Sequence, residues 1–178
     1  MRGGVTYVTA LLAVAAAALA GTPAHAQVSE TSVKAAFLPR FARYVTWPPN
    51  AVPSATAPFV LCVIGSDPFG GSLDQAARSQ SVDGRRVVVR RMATAAQSGG
   101  CHVAFIGDGS SQAGQVLAAI GRRPVLTVTD ARNGGQRGII HFAVVSGRVR
   151  FFIDQAAAQQ RGLTVSSRLL ALAVGVRQ

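Results

Sequence analysis

Two β-rich runs separated by Ser146 and Gly147 constrain this chain more than any other feature. A gap of two residues between such runs is the spacing of a β-hairpin. Counting outward from the turn predicts which residues face each other, because side chains alternate with period two. One side of the ladder then carries the pairs Val144–Val149, Phe142–Phe151 and Ile140–Ile153. A slip of one residue would bury arginines, so we expect a firmly specified register.

The opposite side of this predicted hairpin is mixed and basic. It carries the pairs Val145–Arg148, Ala143–Arg150 and His141–Phe152. The sequence therefore predicts one core face and one outward face. The outward face is our candidate partner-binding surface, and its members are His141, Arg148, Arg150 and Phe152.

Residues 1–26 have the pattern of a secretory signal peptide. Arg2 gives a positive start, residues 10–20 are apolar, and residues 24–26 (Ala-His-Ala) fit a small-x-small cleavage site. The apolar run is too short for a spanning helix, and Thr22 stands where a lipoprotein would need its acylated cysteine. A buried N-terminal helix is the alternative. We expect an exported protein with a single domain over residues 27–178.

The charge of the chain is strongly positive. Without Arg2, 17 Lys and Arg residues stand against 7 Asp and Glu residues, a net charge near +10. In a cytosolic protein this excess would suggest nucleic acid, but export argues against that partner. Acidic partner domains, anionic lipid or cell-wall polymers fit an exported basic protein. The alternative is a merely solvated surface that uses Arg in place of Lys, since Lys34 is the only lysine.

Cys62 and Cys101 are the only cysteines of the chain. Exported proteins with two cysteines commonly pair them. A bond across this separation of 39 positions would contribute about 4 kcal/mol in the chain-entropy model. Two separate buried thiols are the alternative. A metal site is a poorer third interpretation, because Cys101-His102 has no spaced second pair.

Strands and helices alternate along the rest of the chain. Apolar runs bounded by Gly and Pro predict strands at residues 59–64, 86–91, 101–106 and 124–130. Helical patterns cover residues 27–47 (with a kink or break at Pro39), 72–78 and 110–120. After the hairpin, two short helices are capped by Asp154 and Ser166 and separated by Gly162. We predict an α/β fold: a mostly parallel sheet flanked by helices on both faces, with a C-terminal β-hairpin and short helices.

Candidates for catalysis are scarce. Asp67, Asp108 and Asp130 each follow a strand at its carboxyl end, where α/β sheets bind ligands, and they are our candidate ligand loops. Turn and cap roles explain Asp67 and Asp108 equally well. His102 and His141 lack obvious carboxylate partners, so structural roles are favoured for both. The sequence predicts no enzyme, no cofactor and no metal site.

Several segments together resemble the YfiR family of periplasmic regulators. They are residues 33–38 (VKAAFL), 41–48 (FARYVTWP), 101–106 (CHVAFI), 126–130 (LTVTD), 135–142 (GQRGIIHF) and 162–173 (GLTVSSRLLALA). The resemblance covers essentially all of the chain after the signal peptide, in the family's order.

The resemblance implies a periplasmic, non-catalytic α/β protein that forms a homodimer. It implies binding to the periplasmic sensor domain of an inner-membrane diguanylate cyclase, which lowers cyclic-di-GMP synthesis and biofilm formation. It further implies relief of inhibition by an outer-membrane lipoprotein. Cys62 and Cys101 look like one of the family's two disulfides, and the second pair is absent.

Two segments depart from the family's pattern. Pro39-Arg40 stands where Tyr-Asn is common, and residues 152–154 (Phe-Ile-Asp) stand where Glu-Ile-Asn is common. The second departure lies on the candidate partner-binding surface. From a different functional class, the alternative is a periplasmic binding module for a small ligand or a cell-wall fragment.

Overall fold

The computed structural model describes residues 29–52, 54–107 and 110–178. The predicted signal peptide, residues 1–26, and the predicted ligand-loop residue Asp108 lie outside these ranges. The helices within them are α1 (Glu30–Phe41), α2 (Gly71–Arg78), α3 (Ser110–Ile120), α4 (Gln155–Gln160) and α5 (Ser167–Leu170). The strands are β1 (Val45–Thr46), β2 (Phe59–Ile64), β3 (Ser81–Val82), β4 (Arg85–Met92), β5 (Val103–Ile106), β6 (Leu126–Thr129), β7 (Ile140–Val145), β8 (Arg148–Asp154), β9 (Thr164–Val165) and β10 (Gly175–Arg177).

The described residues form an eight-stranded sheet in the order β10-β8-β7-β6-β5-β2-β4-β3. The central strands β4, β2, β5, β6 and β7 run parallel to one another. β8 is antiparallel to β7, β3 is antiparallel to β4, and β10 is parallel to β8. β1 and β9 form a separate antiparallel pair. The sheet is therefore mixed and mostly parallel, which confirms the predicted α/β class.

The hairpin has the predicted register throughout. Ile140 pairs with Ile153, and the ladder continues one residue at a time to Val145 opposite Arg148. Ser146 and Gly147 have φ of 50° and 71°, the positive values that a tight two-residue hairpin turn requires. The hairpin does not end the sheet, however, because β10 lies outside β8. A strand of three residues is too short to leave an alternating pattern in the sequence.

The inner half of the hairpin packs under α1. Phe37 and Phe41 of the helix meet Phe142 and Phe151 with ring centroids 5.1 to 6.2 Å apart. The prediction that Val144 is a core residue is wrong, since its side chain is 50% exposed. An opening lies between Val144, next to the hairpin turn, and the first turn of α1.

Helix α1 ends differently from the prediction. It begins at a Ser29 cap that accepts from the Ser32 amide at 3.1 Å, and it runs through Pro39 to Phe41 before a 3₁₀ turn. The expected continuation as helix to Trp47 is wrong, because β1 occupies residues 45–46. Pro39 has no N–H to donate to the Ala35 carbonyl, so the helix loses one hydrogen bond there, and it ends two residues later.

Alternation along the central strands separates two buried clusters. Leu61 and Val63 of β2 belong to one cluster, together with residues of α1 and α2. Cys62 and Ile64 belong to the other, together with residues of α3. Coverage of both faces of the whole sheet by helices stays a prediction, because one face of the hairpin borders an open cleft.

The Cys62–Cys101 disulfide is formed, with 39 positions between the two residues. It joins the middle of β2 to the segment that leads into β5.

Protein unfolded without reductant should therefore expose no titratable thiol. A Cys62→Ala/Cys101→Ala variant should lose about 4 kcal/mol of unfolding free energy in urea titrations, because its unfolded chain is less constrained. Two free thiols in the denatured parent protein would contradict this bond.

Candidate functional site

A cleft of about 610 Å³ lies where β7, β8 and β10 run side by side. His141 faces Phe152 across the hairpin, and Phe152 pairs with Gly175 of β10. Paired residues point to the same face of a sheet, so these three positions share one floor. The loop before β7 contributes a wall that includes Arg137. We call this feature the hairpin cleft.

Phe152 is the central side chain of the hairpin cleft. Its ring lies directly over Gly175, where a Cβ atom would come within 2.9 Å of the ring carbon Cδ1. The Arg137 guanidinium lies 5.6 Å from the ring centroid, within the range of a cation–π contact. Glycine on one side and arginine on the other therefore hold a half-buried aromatic ring at the surface.

His141 lies at the bottom of the hairpin cleft and is 5% exposed. The side chain lies on the predicted face of the hairpin, opposite Phe152, but the prediction that it is exposed there is wrong. Its Nδ1 lies 2.9 Å from the Thr129 hydroxyl, and this hydroxyl also accepts from the Gly138 amide at 2.9 Å. Burial and the nearby charge of Arg137 lower the pKa of His141. The imidazole is therefore a neutral, positioned part of the floor.

Arg148 and Arg150 continue the same face toward the hairpin turn, as the register predicts. Both side chains are exposed. Among the described residues neither makes a hydrogen bond or an ion pair. Their guanidinium groups are therefore available to an acidic surface, although their role in partner binding stays a prediction.

Asp154 and Arg177 close the far end of the hairpin cleft with an ion pair between the Asp154 carboxylate and the Arg177 guanidinium. Asp154 also caps α4 by accepting from the Ala157 amide at 2.9 Å, which confirms its predicted capping role. The sequence did not indicate Arg137, Gly175 or Arg177 as site residues. The first stands in an irregular loop, and the other two reach the cleft only through the pairing of β10.

The predicted ligand-loop residue Asp67 is engaged in internal contacts. Asp67 accepts from the Phe69 amide at 2.7 Å and from Arg91 Nε at 2.7 Å. Between β2 and β5 the backbone is packed tightly, since a Cβ atom on Gly107 would lie 1.7 Å from the Ser66 carbonyl oxygen. The chain leaves β2 toward β4 and leaves β5 toward β6, so a crevice is expected between these two connections. The close approach at Gly107 makes this crevice narrow. The ligand role of Asp67 and Asp108 stays a prediction.

Asp130 is a structural anchor and is 1% exposed. Its carboxylate accepts from Lys34 Nζ at 2.9 Å and from Arg132 at 2.8 Å. Burial alone would raise the pKa of Asp130, but the hydrogen bonds from Arg132 and Lys34 outweigh burial and hold it below its usual value. The side chain thus stays ionised inside the protein.

His102 also has a structural environment. Its Nδ1 accepts from the Val60 amide at 3.0 Å, and its ring stacks on Phe59 with centroids 4.3 Å apart. Burial lowers the pKa of His102, so the neutral ring serves as an acceptor for the backbone at the start of β2.

Residues 31–174 match the model of the YfiR/HmsC-like family. The chain belongs to the YfiR/HmsC-like family. No curated protein is similar enough to this YfiR/HmsC-like chain to count as a match. The family comprises periplasmic regulators of cyclic-di-GMP signalling and not enzymes, and it is linked to the control of a membrane diguanylate cyclase. No helix within the described ranges of this family member is long and apolar enough to cross a bilayer.

The Asp130 ion pairs predict an acid-sensitive fold for this YfiR/HmsC-like protein. A carboxyl whose pKa is lower in the folded than in the unfolded state stabilises the fold at pH values above its unfolded pKa. That stability is lost as the pH falls through about 3.9 toward the lower folded value. Urea denaturation of Asp130→Asn should show a loss of about 3 kcal/mol at pH 7 and a weaker acid dependence. Asp83→Asn, at an exposed turn, is the control. If the stability of the Asp130 variant depended on acid pH as strongly as that of the parent protein, the assigned role of Asp130 would be contradicted.

Proposed function

We infer that this protein binds the periplasmic sensor domain of an inner-membrane diguanylate cyclase and represses its synthesis of cyclic-di-GMP. The observation that carries the proposal is the family match over residues 31–174. Modulation of biofilm formation follows from a change in cyclic-di-GMP.

The hairpin cleft and the adjoining arginines are the surface we assign to the sensor domain. Aromatic and arginine side chains are the types most enriched at protein interfaces, and here Phe152 stands beside Arg137, with Arg150 and Arg148 farther along the same face of β8. The net charge of +11 for the full chain favours an acidic partner surface and speeds its encounter. The Phe at position 152, where relatives commonly carry Glu, adjusts this surface to its own partner.

The remaining features of the proposal concern assembly and location. The protein is exported by a signal peptide over residues 1–26, acts in the periplasm without lipid attachment, and works as a homodimer of one domain over residues 27–178. An outer-membrane lipoprotein captures it and relieves the repression. It performs this function without a catalytic step of its own.

Deletion of the gene tests the proposed function directly. We expect cellular cyclic-di-GMP and biofilm mass to rise, because the cyclase loses its repressor. The nucleotide is measured by mass spectrometry of cell extracts, and the control strain carries the gene back in trans. Unchanged cyclic-di-GMP in the deletion strain, with its membrane cyclases intact, would count against repression.

Arg150→Glu tests the assigned surface. The side chain is exposed and makes no contact that the fold needs, so the melting temperature should stay within about 2 °C of the parent value. Affinity for the purified sensor domain should fall about tenfold or more, because a charge that attracts an acidic surface becomes one that repels it. Binding is measured by surface plasmon resonance at two salt concentrations.

Arg122→Glu is the matched control for this experiment. Arg122 is an exposed arginine that follows α3 and does not line the hairpin cleft, and its replacement changes net charge by the same amount. Equal losses of affinity in the two variants would mean that only the overall charge matters and would contradict the assignment of the surface.

A further inference from the structure

A second pocket, of about 520 Å³, lies beside the small β1–β9 ladder. This ladder brings residues 43–47 into contact with the start of α5, and residues 83–85 from the turn between β3 and β4 complete the lining. The described residues that line it are all different from those of the hairpin cleft. We call it the Trp47 pocket.

The Trp47 pocket is positively charged. Arg43, Arg85 and Arg168 line it together with one acid, Asp83, so its formal charge is +2. Arg85 is held in place by donating to the backbone carbonyls of Asp83 and Ser54, each at 3.2 Å. Arg168 is exposed and, among the described residues, makes no hydrogen bond or ion pair.

Trp47 supplies a donor that lacks an acceptor. The residue is 6% exposed, and its indole Nε1 has no hydrogen-bond partner among the described residues. Its ring packs edge-on against Phe59 with centroids 4.9 Å apart, which fixes its position. Most buried N–H groups in proteins are paired. This N–H is itself buried, so Trp47 is a fixed aromatic part of the wall, and the arginines are the groups that meet a ligand.

We propose that the Trp47 pocket binds a phosphate monoester. Guanidinium groups pair with phosphate oxygens through two parallel hydrogen bonds, and the two negative charges of a monoester dianion balance the formal charge of the pocket. The hydroxyl groups of Thr164 and Ser167 line the same opening and add donors for a third oxygen. The phosphate is carried by a soluble ester or by a lipid headgroup, which share this chemistry. This site is independent of the cyclase partner and of the surface assigned to it.

Trp47 is the only tryptophan of the chain, so its fluorescence reports on this pocket alone. Titration of the full protein with glycerol 3-phosphate should give a saturable change in emission and a 1:1 calorimetric isotherm. Arg168→Gln should weaken binding about tenfold or more, because a charge-assisted hydrogen bond is lost. Arg122→Gln removes the same charge elsewhere and should change affinity by less than about twofold.

Two further arms sharpen the test. Acetate, a monoanion, should bind at least about tenfold more weakly than the phosphate ester, since the pocket balances two charges. Vesicles containing phosphatidic acid identify the source: recruitment to them supports a lipid headgroup, and its absence with retained glycerol 3-phosphate binding supports a soluble ester.

Trp47→Phe keeps an aromatic ring but removes the indole N–H together with part of a buried side chain, so its melting temperature should fall. The test of binding therefore rests on the exposed Arg168→Gln variant, whose melting temperature should stay at the parent value. Three results would overturn the proposal: absence of saturable phosphate binding, equal weakening by the Arg168 and Arg122 variants, or acetate binding as tight as that of the phosphate ester.

Discussion

The buried carboxylate of Asp130 is the contact on which the arrangement of this fold depends. It binds Lys34 of α1 and Arg132 of the following 3₁₀ turn. Its backbone amide donates to Asn133 Oδ1 at 2.7 Å, and Asn133 in turn donates to the Ile106 carbonyl at 3.2 Å. One short segment thereby ties the first helix to the ends of β5 and β6. A buried charge is tolerated only when it is paired in this way, so the register of α1 against the sheet is fixed.

That anchor determines where the hairpin cleft can form. With α1 held against the sheet, Phe37 and Phe41 cover one face of the hairpin. The opposite face borders the hairpin cleft, where Phe152 fills the space beside the loop that carries Arg137. The same strand pair is thus core on one side and borders the hairpin cleft on the other. The proposed role in binding a sensor domain needs such a rigid, chemically distinct face.

Much of this architecture could be predicted from the sequence. The hairpin register follows from period-two alternation around Ser146 and Gly147, and the strand at residues 59–64 and the helix at residues 110–120 have the predicted bounds. Segments with strong hydrophobic periodicity can be predicted because the pattern itself determines which side chains are buried. The exposure of Val144 could not be predicted in this way, because it depends on how far α1 reaches along the hairpin.

The site was less accessible to such reasoning than the fold. The burial of His141 depends on Thr129 and on a loop that closes over it, neither of which is visible from strand alternation. Arg177 and Gly175 enter the site through β10, whose three residues leave no pattern. The unpaired indole of Trp47 likewise appears only when segments far apart in the chain are brought together.

The pairing of β10 has a consequence for the integrity of the protein in a crowded compartment. β8 would otherwise present open N–H and C=O groups along one edge, a template for pairing with other chains. The Val174 amide donates to the Phe151 carbonyl at 3.0 Å, and β10 continues this cover from Phe152 to Asp154. The last strand is therefore both a wall of the cleft and a cover for β8, and it leaves an outer edge of only three residues, which offers little to pair with. Loss of a few C-terminal residues would expose the longer edge of β8.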